Sequence, residues 1–382
     1  MEQALKIHFP GKLIFSKGAL DILCEDLIQS APCKILIVTI DPLLASLNSF
    51  TSRLQENGFE VQLDTSIVNE PSFSDFNNLL GSIRGFAPDT VIGIGGGSVL
   101  DIAKLVAAQI DNTQSLEEIV GIGNLKQRNK KLICAPATAG TGSEASPNAI
   151  LVDDSDNQKK GIISPFLVPD AVYVDPLLTI SVPPAITAAT GLDALTHCLE
   201  GYTNKFSQPF IDMYAFEGMR LIGANIVTAV KDGRNEEART HVAMGSLLGG
   251  FCLGPVNTAG VHALSYPLGS LFHLAHGLSN ALLLPYVMQY NLSAAPKKYA
   301  EVAIALGCSP EETPEKTALK GIEKIREIIR ECGIPAKLSD LNIPEDAIPQ
   351  MAEDAMKVQR LLKNNPREIT LSDAIEIYKS AY

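Results

Sequence analysis

Positive charge is scarce in this sequence: 31 Lys and Arg stand against 43 Asp and Glu, for a formal net charge of -12. Nucleic acid and anionic membrane surfaces both want a basic face, so neither is an expected partner. The seven cysteines (Cys24, Cys33, Cys134, Cys198, Cys252, Cys308 and Cys332) are dispersed, odd in number and free of any C-x-x-C pair. That fits reduced thiols in the cytoplasm better than a disulfide framework or a zinc–cysteine site. No apolar run approaches the ~18 residues of a membrane span, and the N-terminus has no apolar signal core. The expectation is a soluble cytoplasmic protein. Histidine is sparse too, with six in 382 residues.

What is present reads as two halves. A chain of 382 residues, 46% hydrophobic and 19% charged, can build ordinary cores in about two domains or three. From Lys6 to about Ile180, short β-branched runs alternate with amphipathic segments. Residues 34–39, 60–64, 90–94, 131–134 and 171–174 read as buried strands, and 18–30, 42–57, 74–86 and 98–110 as helices. Such alternation predicts an α/β domain with a mostly parallel, Rossmann-like sheet over residues 1–180, the dinucleotide-binding half. Beyond it, residues 181–382 show helical periodicity and almost no strand, which predicts an all-α half, and the candidate metal ligands considered below all fall in it. The two halves are expected to hinge near residue 180. Thr313-Pro314-Glu315 is a helix start, with Thr as N-cap and Pro at the first helical position, and Gly333 with Pro335 stops that helix.

Gly95-Gly96-Gly97-Ser98 follows one predicted strand and opens a helix carrying Asp101 and Lys104. Bare backbone at the positive end of a helix lets phosphate oxygens approach. The G-x-G-x-x-G spacing is not met and no Walker loop is present, so a plain tight turn explains the string about as well. The loop also follows roughly the fourth strand, where the usual dinucleotide fold has it after the first. A second polar loop, Pro136–Glu144, leaves the next strand and should emerge at the same sheet edge. Two such loops favour a cofactor.

The stretch Gly191–His197 follows Pro183-Pro184 and should be helical, since proline suits a first turn and none recurs before Leu199. Four residues turn a helix by about 400°, so Asp193 and His197 share a face. Alone, that pair is an ordinary helix pair more often than a ligand pair. His262 and His276 flank Pro267, which places them at the end of one helix and the start of the next. Three imidazoles and one carboxylate suit zinc or ferrous iron and leave room for a substrate oxygen. His8 and His241 lack ligand spacing and read as surface or satisfied core residues.

At this point the chain resembles the iron-containing (group III) alcohol dehydrogenases of the dehydroquinate synthase-like fold. The matching strings are Gly95–Lys104, Pro136–Glu144, Asp175–Thr179, Gly191–His197 and His262–Asn280, in order over most of the chain. The resemblance implies that Asp193, His197, His262 and His276 hold a divalent metal, iron in that family. It implies that Gly95, Gly96, Gly97, Ser98 and Asp101 meet the cofactor pyrophosphate, and that Thr138, Thr141, Ser143 and Lys160 line the rest of the groove. NAD-using members often end the second strand in Val-Thr-Asp. Here Asp41 comes one residue late, after Val38-Thr39-Ile40, so NAD is expected and NADP stays open. Some relatives carry histidine where this chain has Tyr266.

The expected reaction is reversible hydride transfer between a nicotinamide cofactor and a small alcohol, aldehyde or ketone, with the metal as Lewis acid. A homodimer is the expected assembly. One alternative is a lyase of the dehydroquinate synthase type, disfavoured because the segment from His262 to His276 has no Lys or Arg to hold a phosphate. Another is a non-catalytic binding module of the same fold. Proton transfer falls to Tyr266 or His273, the imidazole being better poised at neutral pH. The plainer reading is that Tyr266 packs beneath the site and His273 is a solvated loop residue.

Overall fold

The computed structural model describes residues 5–68, 70–156 and 158–382, so the first four N-terminal residues lie outside it. It falls into two compact units. One comprises His8–Thr138 and Ser143–Thr179. The other comprises Ala139–Gly142 and Ile180–Tyr382, together with residues 5–7.

The first unit alternates strands and helices. In chain order they are β1 (Lys12–Phe15), α1 (Ala19–Ile28), β2 (Lys34–Val38), α2 (Leu44–Glu56), β3 (Glu60–Asp64), α3 (Phe73–Ile83), β4 (Thr90–Gly95), α4 (Gly97–Gln109), α5 (Leu116–Ile119), β5 (Gly121–Ile122), β6 (Lys131–Pro136), β7 (Asn148–Asp153), β8 (Gln158–Ile163) and β9 (Ala171–Val174). Six strands form a sheet in the order β1-β9-β6-β4-β2-β3, with every pair parallel. The ILIV run of β2 and the TVIGI run of β4 are buried because a sheet covered on both faces admits no polar alternation. All six strand C-termini therefore open on one edge. There β2 and β6 flank β4, so the segments after these three strands lie side by side, and Gly95 pairs with Pro136. The strand order reverses between β2 and β4, where open α/β sheets place ligands.

A second, three-stranded sheet, β5-β8-β7, was not foreseen. Its hairpin strands NAILVD and QKKGII are half-exposed, and the turn between them carries Asp and Ser where a hairpin usually signals itself by Gly. The edge strand β1 was missed for a similar reason: it is four residues long and partly exposed.

The second unit is helical: α6 (Pro184–Thr203), α7 (Pro209–Lys231), α8 (Glu236–Leu253), α9 (Gly260–Phe272), α10 (His276–Asn291), α11 (Pro296–Ala305), α12 (Pro314–Glu331), α13 (Ile348–Met356), α14 (Gln359–Leu362) and α15 (Leu371–Ser380). Among the described residues no helix is long and apolar enough to cross a membrane. Helix α6 runs through the core, with every residue from Gly191 to Thr203 buried. The α7 glycine Gly218 makes room for that packing, since a Cβ there would sit 2.5 Å from Cys198 Sγ. Arg239 of α8 fastens the start of α6, its guanidinium donating to Thr187 Oγ1 at 2.7 Å and to the Val182 carbonyl at 3.1 Å.

Helix α9 departs from the sequence reading. Pro267 lies inside it, and His262 occupies its third position, not its end. An interior proline costs about 3 kcal/mol. Val261, Leu264 and Leu268 are all buried on the same helix, each worth roughly 1.5–3 kcal/mol, and together they outweigh the break. The helix ends instead at His273, in left-handed conformation at φ 55°, with its N–H and that of Leu274 closing on Gly269 and Leu268 carbonyls.

Candidate functional site

In the helical unit, α6 presents Asp193 and His197 one turn apart, α9 supplies His262 and α10 opens with His276. Asp193 Oδ1 lies 3.5 Å from His262 Nε2, 3.7 Å from His197 Nε2 and 3.8 Å from His276 Nε2. Ligand atoms of Asp193, His262 and His276 all fall within 4.8 Å of one another. His197 stands at the flank of that group, its ring stacked on His262 at 4.8 Å between centroids. Asp193 and His262 are 2% and 3% exposed, whereas the His276 side chain is 31% exposed and forms the open side.

Backbone packing sets this convergence. Gly277 follows His276, and a Cβ there would lie 2.2 Å from the Ala189 carbonyl oxygen and 3.2 Å from Asp193 Cβ. Only hydrogen in that place lets the start of α10 settle against α6. The electrostatics follow from the burial. Desolvation opposes ionisation of Asp193, but His197, His276 and His262 outweigh it and hold the carboxyl well below its usual range. Burial alone would push the His262 imidazole down, yet Glu200 and Asp193 lift it to about 10. Desolvation lowers His197.

Two side chains in this cluster escaped the sequence reading. Asn280, one turn after His276 and fully buried, directs Nδ2 at Asp193 Oδ1 (2.7 Å), His262 Nε2 (3.0 Å) and His276 Nε2 (3.2 Å). Glu200, one turn after His197, touches His262 from the other side. The available signal was a second carboxylate in the mostly apolar run Leu192–Tyr202, on the face already carrying Asp193 and His197. The buried atoms left without a hydrogen-bond partner include His197 Nδ1 and Asn280 Oδ1, both at this cluster. One carboxylate and three imidazoles are the donor chemistry that zinc or ferrous iron accepts. The residues present fit such an ion.

Among the other residues singled out, Tyr266 lies on the His262 face of α9 with its ring 6.0 Å from that of His276. His273 is exposed at the end of α9. His8 is exposed, and His241 Nδ1 meets Asn225 Oδ1 at 3.3 Å.

In the α/β unit, Gly96 is the N-cap of α4 and supplies no side-chain cap, leaving the amides of the first turn open to an anion. A Cβ on Gly96 would meet Thr138 at 3.5 Å, so the segments after β4 and β6 are in contact range. Gly95 has a packing reason as well, because a Cβ there would lie 2.8 Å from the Val99 side chain. Asp101 is turned into the protein, accepting from Ser143 Oγ and from the Ile150 N–H at 2.9 Å. Lys104, wholly buried, donates to the Ser146 and Asn148 carbonyls at 3.0 and 2.8 Å. These bonds pin α4 to the chain just beyond the Pro136–Glu144 loop. Asp41 is exposed at the start of a short 3-10 turn after β2. Lys160 on β8 pairs with Asp156 and Asp153.

Comparison with known proteins extends over the whole chain. A family model described as iron-containing alcohol dehydrogenase matches residues 10–176, and one described as the C-terminal part of the Fe-containing alcohol dehydrogenase family matches residues 187–382. The chain is 36% identical to long-chain-alcohol dehydrogenase 1 of Geobacillus thermodenitrificans, over 99% of its own length and 96% of that protein. It is 33% identical to the 1,3-propanediol dehydrogenase of Klebsiella pneumoniae, over 98% and 97% of the two chains. Among solved structures it resembles a 1,3-propanediol oxidoreductase (TM-score 0.94, 32% identity, all of both chains). It also resembles the sulfoacetaldehyde reductase of Bifidobacterium kashiwanohense in complex with NAD+ (TM-score 0.89, 27% identity, 99% of both chains).

Proposed function

The chain belongs to the iron-containing alcohol dehydrogenase family, and from that premise we propose a reversible NAD-linked oxidation of a small alcohol to its aldehyde or ketone. The balance is one hydride to the nicotinamide and one proton to solvent for each carbinol oxidised. Asp193, His197, His262 and His276 would hold the divalent metal, iron before zinc. Gly95–Ser98 at the start of α4 would take the pyrophosphate, with Asp41, Thr138, Thr141, Ser143 and Lys160 along the rest of the dinucleotide. When bound, the metal supplies Lewis acidity toward the substrate oxygen and the nicotinamide supplies the hydride acceptor.

The protein's own groups do the rest. Asp193 contributes the negative charge that concentrates a cation among the imidazoles. The apolar packing around α6 keeps water from the ligand atoms, while the exposed flank at His276 leaves an approach for substrate. Tyr266 and His273 are the groups within the same segment that can pass a proton between the substrate oxygen and solvent. Asp101 acts at one remove, holding Ser143 and β7 in place. A homodimer in the cytoplasm completes the proposal, supported by the partly exposed edge strand β1 and by the free state of all seven cysteines.

The single observation that carries this reading is the approach of three imidazole Nε2 atoms to one carboxylate oxygen at 3.5–3.8 Å. Its test is His262→Ala. Losing one of four ligands should strip most of the bound metal and abolish NADH-dependent aldehyde reduction, with the circular dichroism of the fold retained. Full metal occupancy with normal turnover would refute it.

A further inference from the structure

Glu200 is 3% exposed, lies on the core-facing side of α6, and is not one of the four residues proposed as ligands. A carboxylate so placed is costly unless donors surround it. Three do. Its Oε2 accepts from His262 Nδ1 at 2.6 Å and from the Ala259 N–H at 3.0 Å, and its Oε1 accepts from the Val261 N–H at 2.6 Å. The two backbone donors belong to the opening turn of α9, so Glu200 serves that helix as a cap lent by another helix.

We propose that Glu200 is a positioning residue of the metal centre, fixing His262 in the tautomer that carries its hydrogen on Nδ1 and aims the Nε2 lone pair at the ion. Both oxygens of Glu200 already accept from backbone N–H groups, so the 2.6 Å contact is met by a hydrogen on Nδ1 that the carboxylate accepts as well. Nε2 then faces Asp193 Oδ1 at 3.5 Å as a donor to metal. Because the same carboxylate caps α9, it sets the rotation of that helix and the tautomer of its third residue together. A metal-bound histidine whose second nitrogen gives its hydrogen to a carboxylate is the more basic ligand, and losing such a partner typically costs 10–100-fold in metal affinity.

This inference rests on the reading of His262 as a ligand, and the experiment separates the two. Glu200→Gln preserves size but offers one acceptor and one NH2 to three donors, so one N–H must face another whichever way the amide turns. Dissociation constants for Co2+ and Zn2+ are measured in metal buffers for wild type, Glu200→Gln and His262→Ala, with the visible absorption of bound Co2+. Expected are a roughly 10–100-fold rise in both constants for Glu200→Gln, an altered Co2+ spectrum, and near-total loss of binding for His262→Ala. If His262→Ala loses the metal while Glu200→Gln stays within threefold of wild type, the role of Glu200 is overturned and the ligand reading survives. If His262→Ala binds as wild type does, the ligand reading itself falls. Should Glu200→Gln fail to fold, nitrogen-15 histidine spectra of the Zn2+-loaded wild type decide the matter. A hydrogen on Nδ1 of His262 supports the proposal, and a hydrogen on Nε2 overturns it.

Discussion

Asparagine is among the few side chains that accept a left-handed backbone, so His273→Asn removes an imidazole and leaves the φ 55° turn unstrained. That makes it a clean partner to Tyr266→Phe for locating the proton path. His273→Asn should lower kcat more than Tyr266→Phe, with metal content equal in both. A general acid is typically worth about 10²–10⁴-fold, so a change within about twofold in both variants would mean that neither side chain moves the proton. Glu144 gives a second prediction. Burial pushes its carboxyl from 4.5 up to about 7, with Lys104 offsetting part of the effect. The unfolded chain ionises first, so between pH 4.5 and 7 the folded state holds the extra proton, and stability falls as pH rises through that window. The loss is at most about 3 kcal/mol. Glu144→Gln should therefore be more stable than wild type in urea at pH 8 and nearly equal to it at pH 4.5. An equal difference at both pH values would assign the effect to packing. Residues were unevenly legible at this scale. Asp193, His197, His262 and His276 stood out because histidine is sparse, whereas Glu200 and Asn280 are common residue types that only tertiary pairing distinguishes.

At the scale of elements, the seating of α10 on α6 rests on one hydrogen atom at Gly277. Gly277→Ala would drive a methyl group into the Ala189 carbonyl, a rigid backbone atom. It should cost about 1–3 kcal/mol and, by tilting His276 away from Asp193, release metal in dialysis against a chelator. Gly81→Ala in α3, where nothing lies within 4 Å of the added carbon, is the control and should be neutral or gain up to about 1 kcal/mol. Equal effects from the two substitutions would remove the seating argument. Helices and buried strands were read well because their signals are local: the strands 60–64 and 171–174 and the Thr313 cap match the sequence reading residue for residue. What failed was decided by tertiary packing. Apolar contacts on both sides carry α9 through Pro267, and the β7–β8 hairpin is half-exposed, with no alternation to announce it.

For the whole molecule, composition said hardly anything about where one unit stops. The helical unit includes Ala139–Gly142, four residues whose neighbours at both ends belong to the α/β unit. They are tightly built in: a Cβ on Gly140 would fall 2.6 Å from Thr190 Cβ, and one on Gly142, at φ 60°, 2.4 Å from Gly250 Cα. Consider what this means for inheritance. A gene fusion or crossover at codon 180 would hand on a helical domain with a slot in it, cut to the shape of a peptide left behind on the other parent. The two units can therefore diverge together but cannot be traded like cassettes. A fragment beginning at residue 180 should recover native-like unfolding only when the short segment is supplied back to it.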